Sequence, residues 1–426
     1  MKNLLNHHNG RIAITGTAFL PALCLLIAIF WTCRAAAQTF YICEGADTRS
    51  ASALSFTDGS LQPAAIDSIT LGTPAGQCYV GGDLSMLTKY EEQKAQFFDR
   101  QGNPIDDLLA FLKQQGWNTV RLRLFVDPSK DADKCVVQDL DYVAQLGRRV
   151  KAAGLLLMLD FHYSDTWADP GKQWTPDAWK SLSDAQLLTM VYDYTRQCLN
   201  HLVAEGAAPD FIQTGNEISY GMLWGTKAAV GNNQTNRCYT NSPQANWDRF
   251  FNLLRHATRA CREVCPRAQI IIHSERTPNV SVLTDYFDRL RKAAIDYDVI
   301  GLSYYPYFHG KLEQLETALT QLEQRHYGKP IQIVETGYPW KWAVPGTTFD
   351  YSATYPYSND GQRRFAADLI ATLKRHPQVK GLSWWYAEAN AKGTTGNLSS
   401  DWYNASLFNN ETGRALDALY ELKTFK

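Results

Sequence analysis

Short apolar segments alternate with amphipathic segments along the chain from Cys78 onward. The apolar segments favour strands, which we predict at residues 79–82, 119–126, 155–161, 211–214, 269–273, 299–303, 331–335 and 381–385. The amphipathic segments carry apolar residues three and four positions apart, which predicts helices at residues 104–115, 140–153, 184–205, 244–264, 280–294, 311–326, 361–375 and 412–422. The pattern therefore repeats a strand–helix unit eight times.

This alternation predicts an α/β fold with a parallel sheet, because a parallel strand needs a crossover connection to reach its neighbour. Eight such units favour closure into a (β/α)8 TIM barrel, which we assign to residues 78–426. A doubly wound open sheet is the alternative. It rarely has eight regular units, and it usually carries a Gly-rich nucleotide-binding turn that this sequence lacks.

The first 37 residues have the pattern of an export signal. Lys2 and Arg11 flank a start without acidic residues, residues 12–31 are almost wholly apolar, and residues 35–37 are three alanines of the kind that signal peptidase recognises. We predict a signal peptide at residues 1–37 and an exported protein that is secreted, periplasmic or on the cell surface, with no membrane span in the mature chain. An uncleaved anchor is the alternative, since the apolar segment approaches the ~20 residues that cross a bilayer.

Composition excludes some classes of function. The 42 basic and 43 acidic residues give a formal net charge of −1, so the chain lacks the basic excess of a nucleic-acid-binding protein. The hydrophobic fraction of 45% and charged fraction of 20% are typical of a globular protein. With 12 Trp, 22 Tyr and 18 Phe, the chain has many rings that could stack on flat ligands such as sugars.

The cysteines do not form a recognisable metal motif. Seven remain after the predicted cleavage, and an odd number leaves at least one thiol unpaired. No Cys-x-x-Cys pair or Cys/His cluster at zinc spacing occurs, so we predict no metal site. Cys261 and Cys265 share one face of a predicted helix, a pattern more typical of small core residues.

Two glutamates stand at the ends of predicted strands, where a (β/α)8 barrel builds its active site. Glu217 follows the fourth strand directly after Asn216, and Glu335 ends the seventh. Glycoside hydrolysis needs such a pair, with one carboxyl as acid and base and the other as nucleophile in a retaining reaction. A single strand-end glutamate would more often belong to a buried salt bridge, but the pair predicts catalysis.

Further polar residues occur at the same strand ends. Arg121 and Arg123 are two apart on the second strand and share a face, where an arginine could bind the nucleophile carboxylate. A wholly structural ion pair is the alternative. His162 and Asp165 follow the third strand, where a histidine could bond to a sugar or to Glu217, and His273 ends the fifth strand with either a site role or a structural one.

Aromatic residues cluster after the later strands. At a barrel rim such rings stack on the apolar faces of pyranose rings, whereas at core spacing they only pack. The candidates are Tyr304, Tyr305 and Tyr307 after the sixth strand, and Trp340, Trp342, Trp384 and Trp385 after the seventh and eighth.

Several motifs resemble the endo-β-1,4-galactanases of glycoside hydrolase family 53. They are GGDLSML at residues 81–87, the segment 98–102, GWNTVRLR at 116–123, DFHYSDTWADP at 160–170, GNEI at 215–218, SYYP at 303–306 and VET at 334–336. The run from His162 to Pro170 is the most specific, whereas Asn-Glu alone suggests only the wider superfamily of retaining barrel glycosidases. The resemblance spans roughly residues 78–420.

The resemblance implies endo-hydrolysis of β-1,4-galactan, the galactose side chains of pectin, with retention of configuration. It implies that Glu217 is the acid/base and Glu335 the nucleophile. Residues that it implies to line the site or hold these carboxylates are Asp83, Arg121, His162, Asn216, Tyr305 and Trp385. We add Arg123, Asp165, Trp167, His273 and Trp340 as substrate-binding or supporting candidates, and we expect Asn216 to bond to the sugar 2-hydroxyl.

The sequence also departs from the family pattern. Residues 38–77 form an extra N-terminal appendage with no assigned role. Some bacterial members hold calcium between the loops after the seventh and eighth strands with closely spaced Asp, His and Asn. Residues 341–352 (KWAVPGTTFDYS) lack that spacing, which counts against calcium, and we expect no cofactor. We expect a monomer whose partner is the polysaccharide.

Two alternative functions are also compatible with the sequence. One is a related barrel glycosidase that acts on mannan, xylan or a glucan. The other is a carbohydrate-binding protein without catalysis, against which the presence of both glutamates argues.

Overall fold

The structure is a computed structural model that describes residues 77–130, 135–226, 236–239, 242–395 and 403–426. Eight parallel strands form a closed barrel in chain order, and the last strand pairs with the first. They are β1 Tyr79–Asp83, β2 Thr119–Leu124, β3 Leu156–Phe161, β4 Phe211–Gln213, β5 Gln269–Ser274, β6 Val299–Tyr304, β7 Ile331–Thr336 and β8 Val379–Trp384. The predicted (β/α)8 barrel is confirmed. The predicted signal peptide and residues 38–76 of the appendage lie outside the described residues.

Helices follow the strands on the outside of the barrel. They are α1 Leu87–Glu92, α2 Leu108–Gln114, α3 Leu140–Ala152, α4 Asp184–Ala204, α5 Gln244–Val264, α6 Val280–Lys292, α7 Pro306–His309, α8 Leu312–Gln324, α9 Asn359–Lys374 and α10 Asp417–Glu421. Short 3-10 turns cover Pro128–Lys130, Asp177–Trp179, Tyr403–Ala405 and Leu422–Phe425. Within the described ranges, no helix is both long enough and apolar enough to cross a membrane.

Side-chain caps explain where several helices begin. Ser183 and Gln186 form a reciprocal capping box at the start of α4, so two backbone N–H groups that lack helical partners are satisfied. The Asp139 side chain accepts from the Tyr142 N–H at 2.9 Å at the start of α3. The long amphipathic helices therefore lie close to their predicted positions.

The predicted helix at residues 412–422 is wrong in its first half. Gly413 has a φ of +69°, and Ala415 bridges Phe408 in an antiparallel pair. The Ala415 N–H also donates to the Phe98 carbonyl at 2.8 Å, so the backbone there is extended and α10 starts only at Asp417. Sequence periodicity also missed α1 and α7, because six and four residues are too few to show a period.

The barrel interior has two layers of different chemistry. The lower layer is an apolar cluster of Tyr79, Met158, Phe211, Ile271, Val299 and Val334, with Leu156 packed against it. Inward-facing side chains recur every second residue along a strand. The next inward positions are therefore polar ones such as Asp160, Gln213 and His273, which are fully buried. The polar layer lies toward the C-terminal ends of the strands.

A bulge in β7 determines the direction of Glu335. Ile333 pairs with Leu302 and Glu335 pairs with Ser303, so Val334 is one extra residue on β7. In regular pleating Val334 and Glu335 would face opposite sides of the sheet. Val334 instead packs in the lower interior layer, while Glu335 reaches Arg121 in the polar layer. The bulge places two consecutive side chains inside the barrel.

Cys78, Cys198, Cys238, Cys261 and Cys265 are free thiols among the cysteines of the described ranges. Cys261 and Cys265 are buried in the core between α5 and its neighbours, as the helical spacing predicted. Burial raises the pKa of the Cys261 thiol, which keeps it in its neutral form.

Candidate active site

Arg121 lies at the centre of the polar layer with no solvent exposure. Its Nη1 donates to Asp83 Oδ2 at 3.0 Å, and its Nη2 lies 2.8 Å from Asp160 Oδ2 and 2.8 Å from Glu335 Oε1. Burial opposes the charge of the guanidinium, but the three carboxylates outweigh it and raise the pKa of Arg121. Burial would raise the pKa of Asp160, but the charge of Arg121 and the neighbouring His162 outweigh it and lower that pKa to about 2.

Glu335 is held at both carboxyl oxygens. Oε1 faces Arg121 at 2.8 Å, and Oε2 accepts the Tyr305 hydroxyl at 2.9 Å. Only 5% of the residue is exposed. Burial raises the pKa of Glu335 to about 6, and the charge of Arg121 limits the rise. At neutral pH this carboxyl is therefore ionised and fixed in position.

Glu217 occupies a tight turn after β4. Its φ of +48° lies in the left-handed region, and Gly215 two residues earlier has a φ of +120°. Such backbone strain in a residue other than glycine is concentrated at functional sites. The half-buried side chain accepts the Ser303 hydroxyl at Oε1 over 2.7 Å. Among the ion pairs found in the described part of the chain, none includes Glu217.

The two glutamates differ in protonation. Burial raises the pKa of Glu217 well above its ordinary value, and the negative charges of Glu335 and Glu275 raise it further. Ser303 pairs with Glu335 across the sheet and donates to Glu217, so both carboxyls adjoin one residue. The site therefore places an ion-paired carboxyl beside one that holds its proton more tightly, a difference of the kind that glycoside hydrolysis uses.

Asn216 is oriented by the protein. Its Oδ1 accepts from Arg121 Nη2 at 2.9 Å, and its Nδ2 donates to the Ala168 carbonyl at 2.8 Å. An amide nitrogen carries two hydrogens, so one N–H of Asn216 is left for a ligand. With 6% of its surface exposed, Asn216 borders the open side of the polar layer.

His162 is fixed beside Asp160. The Ala168 N–H donates to His162 Nδ1 at 3.1 Å, and His162 Nε2 lies 3.0 Å from Asp160 Oδ2. Burial lowers the pKa of His162, and Asp160 opposes the change. The neutral ring thus points its protonated nitrogen toward Asp160, which is itself bound to Arg121.

Arg123 has fewer carboxylate contacts than Arg121. It is fully buried, and its closest carboxylate atom is Asp83 Oδ1 at 3.5 Å, with no ion pair to Glu335 found among the described residues. Its guanidinium carbon lies 4.6 Å from the Trp167 ring centroid and 5.8 Å from that of Trp385. Arg123 therefore packs against an aromatic wall through cation–π contacts, whereas Arg121 makes the ion pair to Glu335.

Trp167 and Trp385 form that wall. Their ring centroids are 6.2 Å apart, and both side chains are partly exposed. Trp384, in contrast, is fully buried and donates its indole N–H to the Ala405 carbonyl at 2.8 Å. Tyr304 is buried as well, with its hydroxyl on the Gly310 carbonyl at 2.9 Å. These last two rings belong to the core and not to the rim.

Three other candidates do not contact the carboxyl pair through their side chains. Asp165 accepts the Asp177 N–H at 2.8 Å within the loop after β3. Trp340 is 8% exposed in the loop after β7, where its backbone N–H donates to Asn404 at 3.0 Å. His273 is fully buried, and its Nδ1 accepts the backbone N–H of Glu217 at 3.2 Å.

Several important polar residues were not singled out from the sequence. Gln213 and Ser303 lie on inward positions of β4 and β6, and Asp160 does so on β3. A polar residue inside an otherwise apolar strand was the available signal, because burial of a polar group without a partner is unfavourable. Glu388 was missed too. It is fully buried, and burial together with the charge of Asp83 raises its pKa to about 8.

No group of three or more His, Cys, Asp or Glu side chains in the described ranges is arranged to hold a metal ion.

Comparisons with known proteins agree on one family. The model of glycosyl hydrolase family 53 matches residues 79–422. A Niallia circulans protein named as uncharacterized is 36% identical over 316 residues, which are 72% of this chain and 82% of the relative. The arabinogalactan endo-β-1,4-galactanase of Cellvibrio japonicus is 33% identical over 343 residues, 78% of this chain and 86% of that protein. The solved GH53 catalytic domain of Ignisphaera aggregans superposes with a TM-score of 0.71 at 32% identity, covering 83% and 97% of the two chains.

Proposed function

This chain belongs to glycosyl hydrolase family 53, and we propose that it cleaves internal β-1,4 linkages of galactan, including type I arabinogalactan. The observation that carries the proposal is the pair of strand-end glutamates. Glu335 is ion-paired to Arg121, and Glu217 has no cationic partner among the residues that the structure describes. The name of the Cellvibrio japonicus relative supports galactan as the substrate. The sugars of galactan are uncharged, which suits a chain whose net charge is close to zero.

In the first step of the proposed reaction, Glu335 attacks the anomeric carbon of a galactosyl unit while Glu217 donates its proton to the leaving oxygen. The glycosidic C–O bond breaks as the bond from carbon to the Glu335 oxygen forms. In the second step, ionised Glu217 takes a proton from water, and the oxygen of that water displaces Glu335. Two inversions at one carbon retain its configuration.

The neighbouring residues support this reaction. The second Nδ2 hydrogen of Asn216 can donate to the sugar 2-hydroxyl, a bond that strengthens in the transition state. The partly exposed faces of Trp167 and Trp385 offer an apolar surface to a pyranose ring. Asp83, Arg121 and Asp160 are fully buried and act through Glu335, not on the sugar.

The test is digestion of a polysaccharide panel of galactan, mannan, xylan and a β-glucan, with product analysis. We expect a rapid fall in galactan viscosity and release of oligosaccharides. Glu217→Gln and Glu335→Gln should each abolish turnover while galactan binding remains, and Glu316→Gln, an exposed helix residue paired with Arg375, is the matched control. Activity on another polysaccharide and none on galactan would refute galactan as the substrate. Binding of galactan without cleavage by the wild type would refute the proposal that the protein is an enzyme.

We further propose that residues 1–37 are removed during export and that residues 78–426 form the catalytic barrel. The apolar segment with its alanine cleavage site supports the first statement. Mass spectrometry of the mature protein should give an N-terminus at Gln38. A chain that keeps Met1 and stays with the membrane would contradict it.

We also propose that turnover needs no metal. The acid, the base and the nucleophile are all supplied by Glu217 and Glu335, so the reaction has no step left for a metal ion. Activity in the presence of EDTA should equal that of untreated enzyme. A loss that calcium restores would contradict this expectation.

A further inference from the structure

A chain of hydrogen bonds crosses the polar layer from Arg121 to Glu217. Arg121 Nε donates to Gln213 Oε1 at 2.8 Å, and Gln213 Nε2 lies 3.0 Å from His273 Nδ1. His273 Nε2 lies 2.8 Å from Ser303 Oγ, and Ser303 Oγ lies 2.7 Å from Glu217 Oε1. The first four residues are fully buried, so water does not compete for these bonds.

The chemistry of the groups fixes the direction of the first two bonds. An arginine has only donors, so the atom of Gln213 that faces Arg121 must be the carbonyl oxygen. The amide nitrogen then faces His273, and an amide nitrogen can only donate. The Glu217 backbone N–H reaches the same His273 Nδ1 at 3.2 Å. Nδ1 therefore carries no proton, and a neutral His273 has its proton on Nε2.

The surroundings keep His273 neutral. Burial lowers its pKa well below the ordinary value, and the charge of Arg121 lowers it further. The other titratable groups that act on it are Asp160, which opposes the change, and His162 and His309, which add to it.

The last two bonds follow from this tautomer. His273 Nε2–H donates to Ser303 Oγ, which leaves the single hydroxyl hydrogen of Ser303 to donate to Glu217 Oε1. Oε1 is thus an acceptor whether Glu217 is ionised or protonated. A proton on Glu217 belongs on the other oxygen, Oε2.

Building on the proposed function, we propose that His273 and Ser303 are positioning residues that place the transferable proton of Glu217 on Oε2. In the first step the Oε2–H bond breaks and its proton goes to the glycosidic oxygen, while the charge left on the carboxylate is stabilised by the Ser303 O–H bond at Oε1. No proton moves along the chain itself. His273 also holds the Glu217 backbone N–H, which fixes the left-handed turn.

The effect of Ser303 can be separated from the other groups around Glu217. Glu335 on β7, Glu275 after β5 and Asp169 after β3 are all acidic, so each favours the protonated form of Glu217. Tyr305 also lies close enough to sense the charge of Glu217. The Ser303 hydroxyl acts in the opposite direction and lowers the pKa of Glu217. Its removal should therefore make the acid harder to ionise.

The experiment compares Ser303→Ala with Thr214→Val over a full pH profile of kcat/KM on galactan. The Thr214 hydroxyl is buried near the same strand ends and has no hydrogen-bond partner within the described ranges. Thr214→Val therefore removes a hydroxyl without breaking a bond seen there. Ser303→Ala should move the basic limb up by about half to one pH unit and lower kcat about tenfold with KM within about twofold. Thr214→Val should leave the limb in place, and Ser303→Thr should restore it.

Coincident basic limbs for Ser303→Ala and wild type would overturn the proposal, as would an equal shift in Thr214→Val. A second readout does not depend on galactan. Nitrogen-15 spectra of labelled histidine, with His273 assigned from its Asn variant, should show the neutral Nε2–H form from pH 5 to 9. A charged ring or an Nδ1–H form would refute the hydrogen-bond directions even if galactan proves to be the substrate. Failure on galactan with the expected spectrum would refute only the proposed function.

Discussion

The ends of β7 and β4 present the same residue type in opposite electrostatic settings. Glu335 lies against a buried guanidinium and a tyrosine hydroxyl, with 2.8 and 2.9 Å contacts to its two oxygens. Glu217 receives one bond from a serine hydroxyl and is surrounded by acidic groups. Burial raises both pKa values, but a counter-charge limits the rise only for Glu335. The roles proposed for the two carboxyls therefore depend more on their partners than on their burial.

The two ends also depart from regular strand geometry in different ways. A bulge at Val334 turns Glu335 into the barrel, and a left-handed turn after Gly215 presents Glu217. The bulge needs an extra residue in β7. The left-handed turn needs a strained backbone, which His273 holds through the Glu217 N–H. Both put a side chain where the pleat alone would not place it.

The largest expected effect comes from removing either carboxyl. Glu217→Ala should lower kcat on galactan by about 10²–10⁴-fold, because general acid catalysis is lost, and Glu335→Ala should lower it further. With an activated aryl β-galactooligosaccharide and azide, the Glu217 variant should give the β-glycosyl azide and the Glu335 variant the α-glycosyl azide. Product NMR distinguishes them. The reverse pairing of anomers would exchange the two roles.

Arg121→Met tests whether the β7 side depends on its counter-charge. Loss of one partner from a buried ion pair costs about 3–5 kcal/mol, because Asp83 and Asp160 are then left as buried charges. Urea unfolding at pH 7 should show that loss. Arg375→Met breaks an exposed pair with Glu316, which water and salt screen, and should change the free energy of unfolding far less. Equal effects of the two variants would show that the buried ion pairs of Arg121 contribute no more to stability than an exposed pair.

Glu388 makes the free energy of unfolding depend on pH beside the site. Its pKa is raised to about 8 in the folded protein, so the folded state binds a proton that the unfolded chain has lost above its ordinary pKa of 4.5. Stability from this group is therefore complete below pH 4.5 and falls by up to about 1.4 kcal/mol per pH unit as the pH rises toward 8.

Glu388→Gln should remove that slope, since the amide oxygen can still accept the Met86 N–H that now bonds to Oε1 at 2.7 Å. Denaturant unfolding at pH 5, 6, 7 and 8 measures it. Glu316→Gln, at an exposed helix position, is the control and should keep the wild-type slope. A Glu388→Gln slope equal to that of wild type would show that Glu388 is ionised in the fold.

The smallest expected effect concerns the aromatic wall. Trp385→Ala removes a partly exposed ring face and should raise KM for galactan about 5- to 30-fold, with little change in kcat, as expected for lost stacking worth about 1–2 kcal/mol. Initial rates over a galactan concentration series separate the two constants. A fall in kcat with unchanged KM would show that the ring acts on chemistry and not on binding.

The fold was predictable because its periodicity is strong, and the candidate site could be proposed from the sequence where it depends on strand ends. The eight strands and the long helices lie close to their predicted positions, and Glu217 and Glu335 were selected by their place after β4 and at the end of β7. Alternation alone could not place Glu335, since the bulge at Val334 changes which face it occupies.

Arg123 shows a second limit of prediction from the sequence. It shares a face with Arg121, but two residues along a strand are about 6.6 Å, enough to carry it past the carboxylate layer to the face of Trp167. His273 and Ser303 show a third limit of prediction from the sequence. Each is a polar residue in a strand, and the hydrogen bonds that each makes depend on partners from β4, β5 and β6 that only the closed barrel brings together.

The most direct test of the division between the two glutamates is to trap the intermediate with an activated 2-deoxy-2-fluoro-β-galactooligosaccharide. The fluorine slows both formation and hydrolysis of the glycosyl-enzyme, and the good leaving group restores the rate of its formation. A covalent adduct should therefore accumulate. We expect inactivation with one label per chain and, after peptide digestion, the label on Glu335. A label on Glu217, or continued turnover without any label, would contradict the proposal that Glu335 is the nucleophile.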